Sequence, residues 1–345
     1  MKKKLRLAIA GLGLVGERHA TAIAASGEAE LVAVIDPNDA CMEFVTQNGL
    51  ARYKGLEAAF ENEQFDGIIL ATPTPLHVAQ SMECIARGCP ILIEKPIATS
   101  SQDAESMAKL AHASDVPILV GHHRRHNPII QSAKALLEED RIGDIRAVHA
   151  NCWFYKPDEY FEKAPWRKQK GAGPISVNLV HDVDLIRYFC GEVASVQAQL
   201  CSSRRGYENE DVAAAVLRFE SGAIGTISVS DAIVSPWSWE LTSGEYPIYP
   251  KTQESSYHIG GSKGSMSVPD LKIWSHEQRP DWWSPIGAQQ INPDKSDPLI
   301  NQIVHFCAVI QREVEPLVSA AEGIKTLRVI EAIQKAAESE ETIRL

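Results

Sequence analysis

Lys95 and His181 combine side chains and positions suited to moving a hydride and a proton. Lys95 directly follows Glu94 and the apolar run at residues 91–93, so it stands at the carboxyl end of a predicted strand. There its ammonium could hydrogen-bond a substrate hydroxyl and stabilise the oxyanion that forms as hydride leaves. Pro96 restricts the backbone, and a cis peptide would aim the ammonium inward. A surface lysine after a strand is the structural alternative.

His181 lies in a predicted helix, residues 177–189, with a substantial apolar face. Asn178 precedes it by three residues and shares its helix face, and Asp184 follows by three and could orient the ring. An imidazole titrates near neutral pH, which suits a proton acceptor. A histidine with a purely structural role is the alternative.

A basic run follows the predicted strand at residues 118–120 and is a candidate wall of the substrate pocket. Arg124 and Arg125 could bind a carboxylate in a bidentate manner, which favours a hydroxylated acid as substrate. They could instead turn outward or pair with acids of this chain such as Asp182 or Glu94. The predicted substrate-binding residues are His123, Arg124, Arg125, Asn127, Trp166, Asn178 and His181.

A glycine-rich turn at residues 11–16 connects the first predicted strand to a predicted helix. Its G-x-G-x-x-G spacing suits a tight turn, a close approach to a pyrophosphate and close helix packing. The strand at residues 31–35 ends on Asp36, which could hold the ribose hydroxyls and would repel a 2′-phosphate. Since no arginine occurs at positions 37–40, we predict NAD as the cofactor, with NADP less favoured. The predicted cofactor-binding residues are Gly11, Gly13, Leu14, Val15, Gly16, Asp36, Thr72, Pro73, His77, Glu94 and Lys95.

Alternating strand and helix patterns position these residues in the first third of the chain. Such alternation predicts an α/β Rossmann domain with a doubly wound parallel sheet, whose ligands lie beyond the carboxyl ends of the strands. From about residue 144, longer consecutive strands predict an α+β domain with a large, mostly antiparallel open sheet. We predict a dinucleotide-binding domain at 1–125 and a substrate-binding and oligomerisation domain at 126–345. The C-terminal helix is a candidate to pack back on the first domain.

Bulk properties exclude several classes of protein. The net charge of −11 over 345 residues argues against a general nucleic-acid binder. No apolar stretch is long enough to span a membrane. The seven cysteines are scattered without a C-x-x-C pair, which predicts neither a metal site nor a disulfide framework and favours the cytoplasm.

The motifs taken together resemble the glucose–fructose oxidoreductase / inositol dehydrogenase / rhizopine-catabolism (Gfo/Idh/MocA) family. The resemblance rests on the glycine-rich turn, on Glu94-Lys95-Pro96, on residues 125–128 and on residues 171–184. It implies a Rossmann domain, a C-terminal α+β domain and NAD(P)-dependent oxidation or reduction of sugars, polyols and similar cyclic alcohols. It also implies that Lys95 is the active-site lysine and His181 the catalytic histidine.

The sequence departs from the family pattern at two positions. Many members have an acid four residues before the histidine, where this chain has Val177. Either Asn178 substitutes for that acid, or Lys95 and His181 suffice. The asparagine often found before the arginine pair is replaced by His123.

The sequence therefore predicts an NAD-dependent dehydrogenase that oxidises a secondary alcohol of a small polyhydroxylated substrate: a sugar, sugar acid, polyol or cyclic diol. A reductase or redox-assisted lyase with a tightly bound cofactor is one alternative, and a non-catalytic NAD-binding sensor is another. The expected partners are the small-molecule substrate and further copies of the chain, with neither nucleic acid nor membrane. We expect a homodimer or homotetramer formed through the C-terminal sheet.

Overall fold

The chain folds into two compact units, each with its own hydrophobic core. The structure, a computed structural model, describes residues 3–345. Unit 1 comprises the described residues up to Asn127 together with Ser296–Leu327. Unit 2 comprises Pro128–Lys295 and Arg328–Leu345.

Unit 1 is built on a six-stranded parallel sheet. Its strands are β1 (Leu5–Ala10), β2 (Ala29–Ile35), β3 (Ala51–Tyr53), β4 (Gly67–Leu70), β5 (Ile91–Ile93) and β6 (Ile118–Val120). The helices between them are α1 (Leu14–Ser26), α2 (Met42–Gln47), α3 (Leu56–Asn62), α4 (His77–Ala86) and α5 (Ser101–Ala113). The strand order β3-β2-β1-β4-β5-β6 is that of a doubly wound sheet. Every residue of β4, β5 and β6 is buried, as expected for strands covered on both faces.

The strand β3 is the one part of this sheet that the sequence pattern does not predict. It has only three residues, and Arg52 stands at its centre, so no apolar run marks it. Its pairing with β2 forms it, which local patterning cannot show. The helix α1 begins at Leu14, within the glycine-rich turn at residues 11–16.

Unit 2 contains a nine-stranded, mostly antiparallel sheet, which confirms the predicted fold class. The remaining elements of the chain are α6 (Pro128–Glu138), β7 (Ile145–Trp153), α7 (Asp158–Glu162), α8 (Val180–Cys190), β8 (Val193–Ser202), β9 (Glu210–Phe219), β10 (Ile224–Ser230), α9 (Trp239–Thr242), β11 (Tyr257–Gly261), β12 (Gly264–Val268), β13 (Lys272–Ser275), β14 (Gly287–Gln290), α10 (Pro298–Ile310), α11 (Ala320–Ser339) and β15 (Ile343–Arg344). The strand order is β14-β13-β12-β11-β7-β10-β9-β8-β15, and the pair β7 and β10 is parallel. None of the described helices is long and apolar enough to cross a membrane.

The strands of this sheet bury one face and leave the other open. In β9, Ala213, Ala215 and Leu217 are buried, whereas Ala214, Val216 and Arg218 between them are exposed. This period of two matches a sheet with a single covered face. The covered face shares one hydrophobic core with residues of α6, α8 and the last part of α11.

Candidate active site

The glycine-rich turn between β1 and α1 needs glycine at two positions for packing and leaves a third open. Gly11 has φ +86°, and a Cβ there would lie 2.7 Å from the carbonyl oxygen of Ala71. A Cβ at Gly16 would lie 2.1 Å from the carbonyl oxygen of Gly11. Gly13, the N-cap residue of α1, would place a Cβ in open space. This opening beside the first N–H groups of α1 fits a dinucleotide pyrophosphate.

The carboxylate of Asp36 is held beside that turn by main-chain N–H groups. Its Oδ2 accepts a hydrogen bond from the Leu12 N–H at 2.9 Å, and its Oδ1 accepts one from the Asn38 N–H at 2.8 Å. Asp36 itself is half-buried at the end of β2. A carboxylate fixed there is placed to accept hydrogen bonds from ribose hydroxyls.

Arg52 on β3 lies against the same loop, although the sequence pattern gives no sign of it. Its Nε donates to the carbonyl of Asp36 at 3.1 Å, and its Nη2 donates to the carbonyl of Pro37 at 3.1 Å. The same Nη2 lies 2.8 Å from Oδ1 of Asp39. The guanidinium is therefore engaged by two carbonyls and one carboxylate.

His77 joins the segments that follow β4 and β5. Its Nε2 lies 2.8 Å from the carbonyl oxygen of Thr72, and its Nδ1 lies 3.0 Å from that of Pro96. Burial lowers the pKa of His77 despite the two carbonyls, so the ring is neutral at pH 7 and donates to one of them only. Both ring nitrogens face protein oxygens, and Thr72 and Pro73 lie in the segment that follows β4.

Glu94 is a buried carboxylate that forms a close pair with His19 of α1. His19 Nε2 lies 2.7 Å from Oε1 of Glu94, and the His19 side chain is fully buried. Burial alone would raise the pKa of Glu94. The hydrogen bond and charge of His19, with the charges of Lys95 and His123, outweigh it and lower that pKa to about 2. Glu94 is thus a buried anion, and its contact with the cofactor stays a prediction.

Lys95 is half-buried, and its main chain is hydrogen-bonded to this anion. Its main-chain N–H donates to Oε2 of Glu94 at 3.2 Å, and the Lys95–Pro96 peptide is cis. A Cβ at Gly121, directly after β6, would lie 2.9 Å from Oε1 of Glu94. The ends of β5 and β6 and the helix α1 together fix the backbone from which Lys95 projects.

The basic run after β6 forms a short 3-10 helix, His123–His126, in which Arg124 and Arg125 are buried. Arg125 Nη2 lies 3.2 Å from Oε2 of Glu322 on α11, within unit 1. Glu322 is thus an acid that balances Arg125 within unit 1. Since Glu322 lies 197 positions away, sequence patterning gave no sign of the pair.

In unit 2, the predicted helix at residues 177–189 is divided into a π-helical turn, Ile175–Leu179, and α8. Asn178 lies half-buried in the π-helical turn, and His181 lies in the first turn of α8 with 8% of its surface exposed. The hydroxyl of Tyr257 donates to the carboxylate of Asp182, which anchors α8 to β11. Single π-helical turns of this kind are frequent at functional sites.

Glu210 of β9 supports the glycine-rich loop that leads into this turn. Its Oε1 accepts a hydrogen bond from the Ile175 N–H at 2.9 Å. A Cβ at Gly173 would lie 2.2 Å from Oε2 of Glu210, so a side chain there would displace this carboxylate. Burial raises the pKa of Glu210, although the Ile175 N–H opposes that shift. On the other side, Gln334 Nε2 donates to Oγ of Ser176 at 2.9 Å.

A buried lysine contacts Asn178, and the sequence pattern does not single it out. Lys156 is 6% exposed, and its Nζ donates to Oδ1 of Asn178 at 2.7 Å. The same Nζ lies 3.3 Å from Oδ2 of Asp231. Arg205 Nη1 lies 3.0 Å from Oδ1 of Asp231 and 3.5 Å from Oδ1 of Asp211. Two cations and two carboxylates therefore form one buried cluster next to Asn178.

Aromatic rings connect this cluster to Trp166. Lys156 Nζ lies 4.9 Å from the ring centroid of Tyr160, and the guanidinium of Arg167 lies 3.9 Å from the same centroid. Trp166, beside Arg167, is 53% exposed. The cations of Lys156 and Arg167 thus pack against the Tyr160 ring, and the neighbouring Trp166 ring stays accessible.

The structure thus gathers the predicted residues into two groups. Unit 1 carries the glycine-rich turn, Asp36 and Lys95 along the carboxyl edge of its sheet, and unit 2 carries Asn178, His181 and Trp166. Within the described residues, no three His, Cys, Asp or Glu side chains are placed to hold a metal ion. The contributors that the sequence pattern does not reveal are His19, Arg52, Lys156, Glu210 and Asp231.

Comparison with known proteins matches both parts of the chain. Residues 5–122 match the oxidoreductase family with an NAD-binding Rossmann fold, and residues 130–267 match the GFO/IDH/MocA C-terminal domain. The chain belongs to the Gfo/Idh/MocA family. Members of this family are NAD(P)-dependent oxidoreductases, which confirms the predicted class of enzyme.

Individual family members show how far the similarity extends. The rhizopine catabolism protein MocA of Rhizobium meliloti is 30% identical over 55% of this chain and 58% of its own length. The inositol 2-dehydrogenase of Rhizobium meliloti is 24% identical over 95% of each chain. The WlbA dehydrogenase of Bordetella pertussis, solved with NADH and UDP-GlcNAcA, has a TM-score of 0.80 and 27% identity over 99% of each chain.

Proposed function

We propose that the protein is an NAD-dependent dehydrogenase that oxidises a secondary alcohol of a small polyhydroxylated substrate. The observation that carries this proposal is the carboxyl edge of the unit 1 sheet. There an open glycine-rich turn, the oriented Asp36 carboxylate and the supported Lys95 follow strands of one sheet. The similarity to an inositol 2-dehydrogenase supports a polyhydroxylated substrate.

Two side chains carry the proposed chemistry. NAD supplies the hydride acceptor when it is bound at the glycine-rich turn. Lys95 hydrogen-bonds the substrate oxygen and stabilises the negative charge that develops on it. His181 takes the hydroxyl proton on one ring nitrogen and thereby acts as the general base. The buried Glu94 holds the backbone of Lys95 and keeps the ammonium in position.

The preference for NAD over NADP follows from charge. The Asp36 carboxylate would repel a 2′-phosphate, and the guanidinium of Arg52 is already engaged by Asp39 and two carbonyls. Asp36→Asn should therefore weaken NAD use and raise the relative efficiency with NADP. Steady-state kinetics with both cofactors test this, and equal or better kcat/KM with NADP in the unmodified enzyme would contradict it.

The enzymatic proposal itself is tested with purified protein, NAD and a panel of inositols, aldoses, sugar acids and cyclic diols. Formation of reduced cofactor should occur with at least one substrate class and should fall sharply in Lys95→Ala and His181→Ala. Turnover that is unchanged in both variants would contradict the proposed roles.

The charge of the substrate is tested at the basic run. Because Glu322 balances Arg125, that guanidinium does not by itself require a carboxylate on the substrate. Arg124→Ala and Arg125→Ala should be compared on an acidic substrate and its neutral analogue. A loss of about tenfold in kcat/KM on the acid alone would support a sugar acid as the substrate.

We also propose that the chain self-associates through the open face of the unit 2 sheet, in the cytoplasm. A row of uncharged side chains crosses the middle of this face, with Val216 opposite Thr226 and Thr226 opposite His149. Burial, with the neighbouring His258, lowers the pKa of His149, so this row is neutral at pH 7. Copies with a net charge of −11 repel each other, and a neutral row with exposed apolar groups favours their contact there.

A further inference from the structure

The contact between Lys156 and Asn178 determines which atom of the Asn178 amide can form a hydrogen bond with a ligand. An ammonium only donates hydrogen bonds, so the atom 2.7 Å from Lys156 Nζ must be the amide oxygen. The amide nitrogen, Nδ2, is therefore the other end of the group. Within the described part of the chain, Nδ2 makes no hydrogen bond to protein, and Asn178 is only half-buried.

Lys156 is itself held firmly in this position. Lys156 is 6% exposed, and its ammonium binds Oδ2 of Asp231 and lies over the rings of Phe154 and Tyr160. Its main-chain N–H donates to the carbonyl of Asp231 at 2.8 Å. Arg205 binds the other oxygen of Asp231, so the carboxylate is fixed from both sides. Rotation of the Asn178 amide would bring its NH2 group against the ammonium, which disfavours that orientation.

The ammonium also changes the strength of Asn178 as a donor. A positive group on the amide oxygen polarises the amide and makes its N–H groups better donors. Because Asp231 balances the charge of Lys156, the net local charge stays small. Asn178 thus differs from the acid that many family members have one position earlier, because a carboxylate can only accept hydrogen bonds.

We propose that Lys156 is a positioning residue that fixes Asn178 as a hydrogen-bond donor to an acceptor oxygen of the substrate beside the reacting alcohol. Asn178 lies in the π-helical turn that leads directly into α8 and precedes His181 by three residues, and the proposal places this donor and the general base on the same substrate. A carbonyl or carboxylate oxygen suits it best, since bonds to a charged acceptor are the stronger ones. The substrate class is therefore a hydroxylated acid or its carbonyl analogue. This inference rests on the proposed dehydrogenase function.

The experiment uses the full-length protein with NADH and a panel of aldonates, uronates and aldarates. Each acid is paired with its uncharged amide or lactone and with its neutral polyol. Binding is measured by calorimetry, and turnover of the same compounds is measured with NAD. We expect at least one acid or carbonyl analogue to bind about tenfold more tightly than its polyol. A preference shared by the amide identifies a carbonyl oxygen, and a preference limited to the acid identifies a carboxylate.

Variants of Asn178 and Lys156 distinguish the role of the donor from that of the residue that positions it. Asn178→Asp exchanges the donor for an acceptor of equal size and should abolish the preference. Lys156→Met should reduce the preference for the acid over its polyol, and Lys156→Arg should keep much of that preference. In the Asn178→Asp background, Lys156→Met should cause no further loss. The matched control is Lys170→Met, because Lys170 is an exposed lysine of unit 2 paired with Glu338. Thermal melting identifies any variant that fails to fold, and Lys156→Arg then provides the test.

The outcomes distinguish this inference from the function on which it rests. If no acid or carbonyl analogue binds better than its polyol, the inference is wrong. It is also wrong if Asn178→Asp weakens acids and polyols equally, or if Lys156→Met acts additively with it. If acids bind in an Asn178-dependent manner without any turnover, the inference stands and the proposed dehydrogenase reaction fails.

Discussion

At the scale of single residues, Glu94 explains how the proposed active-site lysine is held. A buried carboxylate is costly unless it is paired, and His19 pairs with it at 2.7 Å. The same carboxylate accepts a hydrogen bond from the main-chain N–H of Lys95, so the anion and its partner act on the position of Lys95. The structure shows this supporting role for Glu94, and its predicted contact with the cofactor stays a prediction.

Glu94→Gln should change how stability depends on pH. The pKa of Glu94 is about 2 in the folded protein, below its ordinary value of 4.5. Ionised Glu94 therefore stabilises the fold above pH 4.5, and this contribution is lost as the pH falls from 4.5 towards 2. Melting temperatures across that window should fall less steeply in Glu94→Gln than in the unmodified protein. Glu57→Gln, at an exposed position, is the control, and parallel curves for Glu94→Gln would contradict the prediction.

His181→Ala should lower kcat by about 10²–10⁴-fold, the usual contribution of a general base. The dissociation constant for NAD should change little, because the predicted dinucleotide contacts all belong to unit 1. Steady-state kinetics and calorimetry measure the two quantities. His112→Ala removes an exposed histidine of α5 and should leave both unchanged. A near-normal kcat in His181→Ala would mean that this histidine is structural.

At the scale of elements, the turn between β1 and α1 uses one glycine for packing and another for binding. Gly16 is needed because any Cβ would collide with the carbonyl of Gly11, and Gly13 is open to solvent. A methyl group at position 13 would therefore leave the fold intact and occupy the space proposed for the pyrophosphate. Gly13 and Gly16 thus belong to one motif, but glycine is needed at the two positions for different physical reasons.

Gly13→Ala should weaken NAD binding by about tenfold or more while the melting temperature changes little. Gly55→Ala is a matched control, since Gly55 is also an N-cap glycine of unit 1 with open space around its Cβ position. Both changes carry the same small cost of an alanine N-cap. Calorimetry with NAD measures the binding. Equal affinities of the two variants for NAD would show that the turn does not hold the pyrophosphate.

At the scale of the whole molecule, charge and the open sheet face bear on assembly. Val216→Glu adds a carboxylate to the neutral row on that face and should dissociate the proposed homo-oligomer. Val234→Glu, at an 87% exposed position outside the strands, makes the same chemical change elsewhere in unit 2 and should leave the mass unaltered. Light scattering measures the molar mass. A Val216→Glu protein of unchanged mass, or an unmodified protein that is monomeric throughout, would contradict the proposal.

Local sequence patterns were sufficient to predict most helices and strands of the fold. The apolar runs at β1, β4, β5 and β6 are visible because parallel strands buried on both faces leave no room for polar residues. The glycine spacing before α1 is visible because the main chain must turn sharply there. By contrast, β3 exists only through its pairing with β2, and the π-helical turn before α8 follows no side-chain period.

The sequence by itself determined the class of fold, the dinucleotide motif and the family, since each is expressed in short-range spacing and in residue types at strand ends. Only the tertiary structure decided which charges meet. Lys156 reaches Asn178 and Asp231 across 22 and 75 positions, and Arg125 reaches Glu322 across 197. Pairing over such distances depends on how the strands are ordered in space. A local pattern holds no information about that order, so the partners of buried ions became visible only in the folded chain.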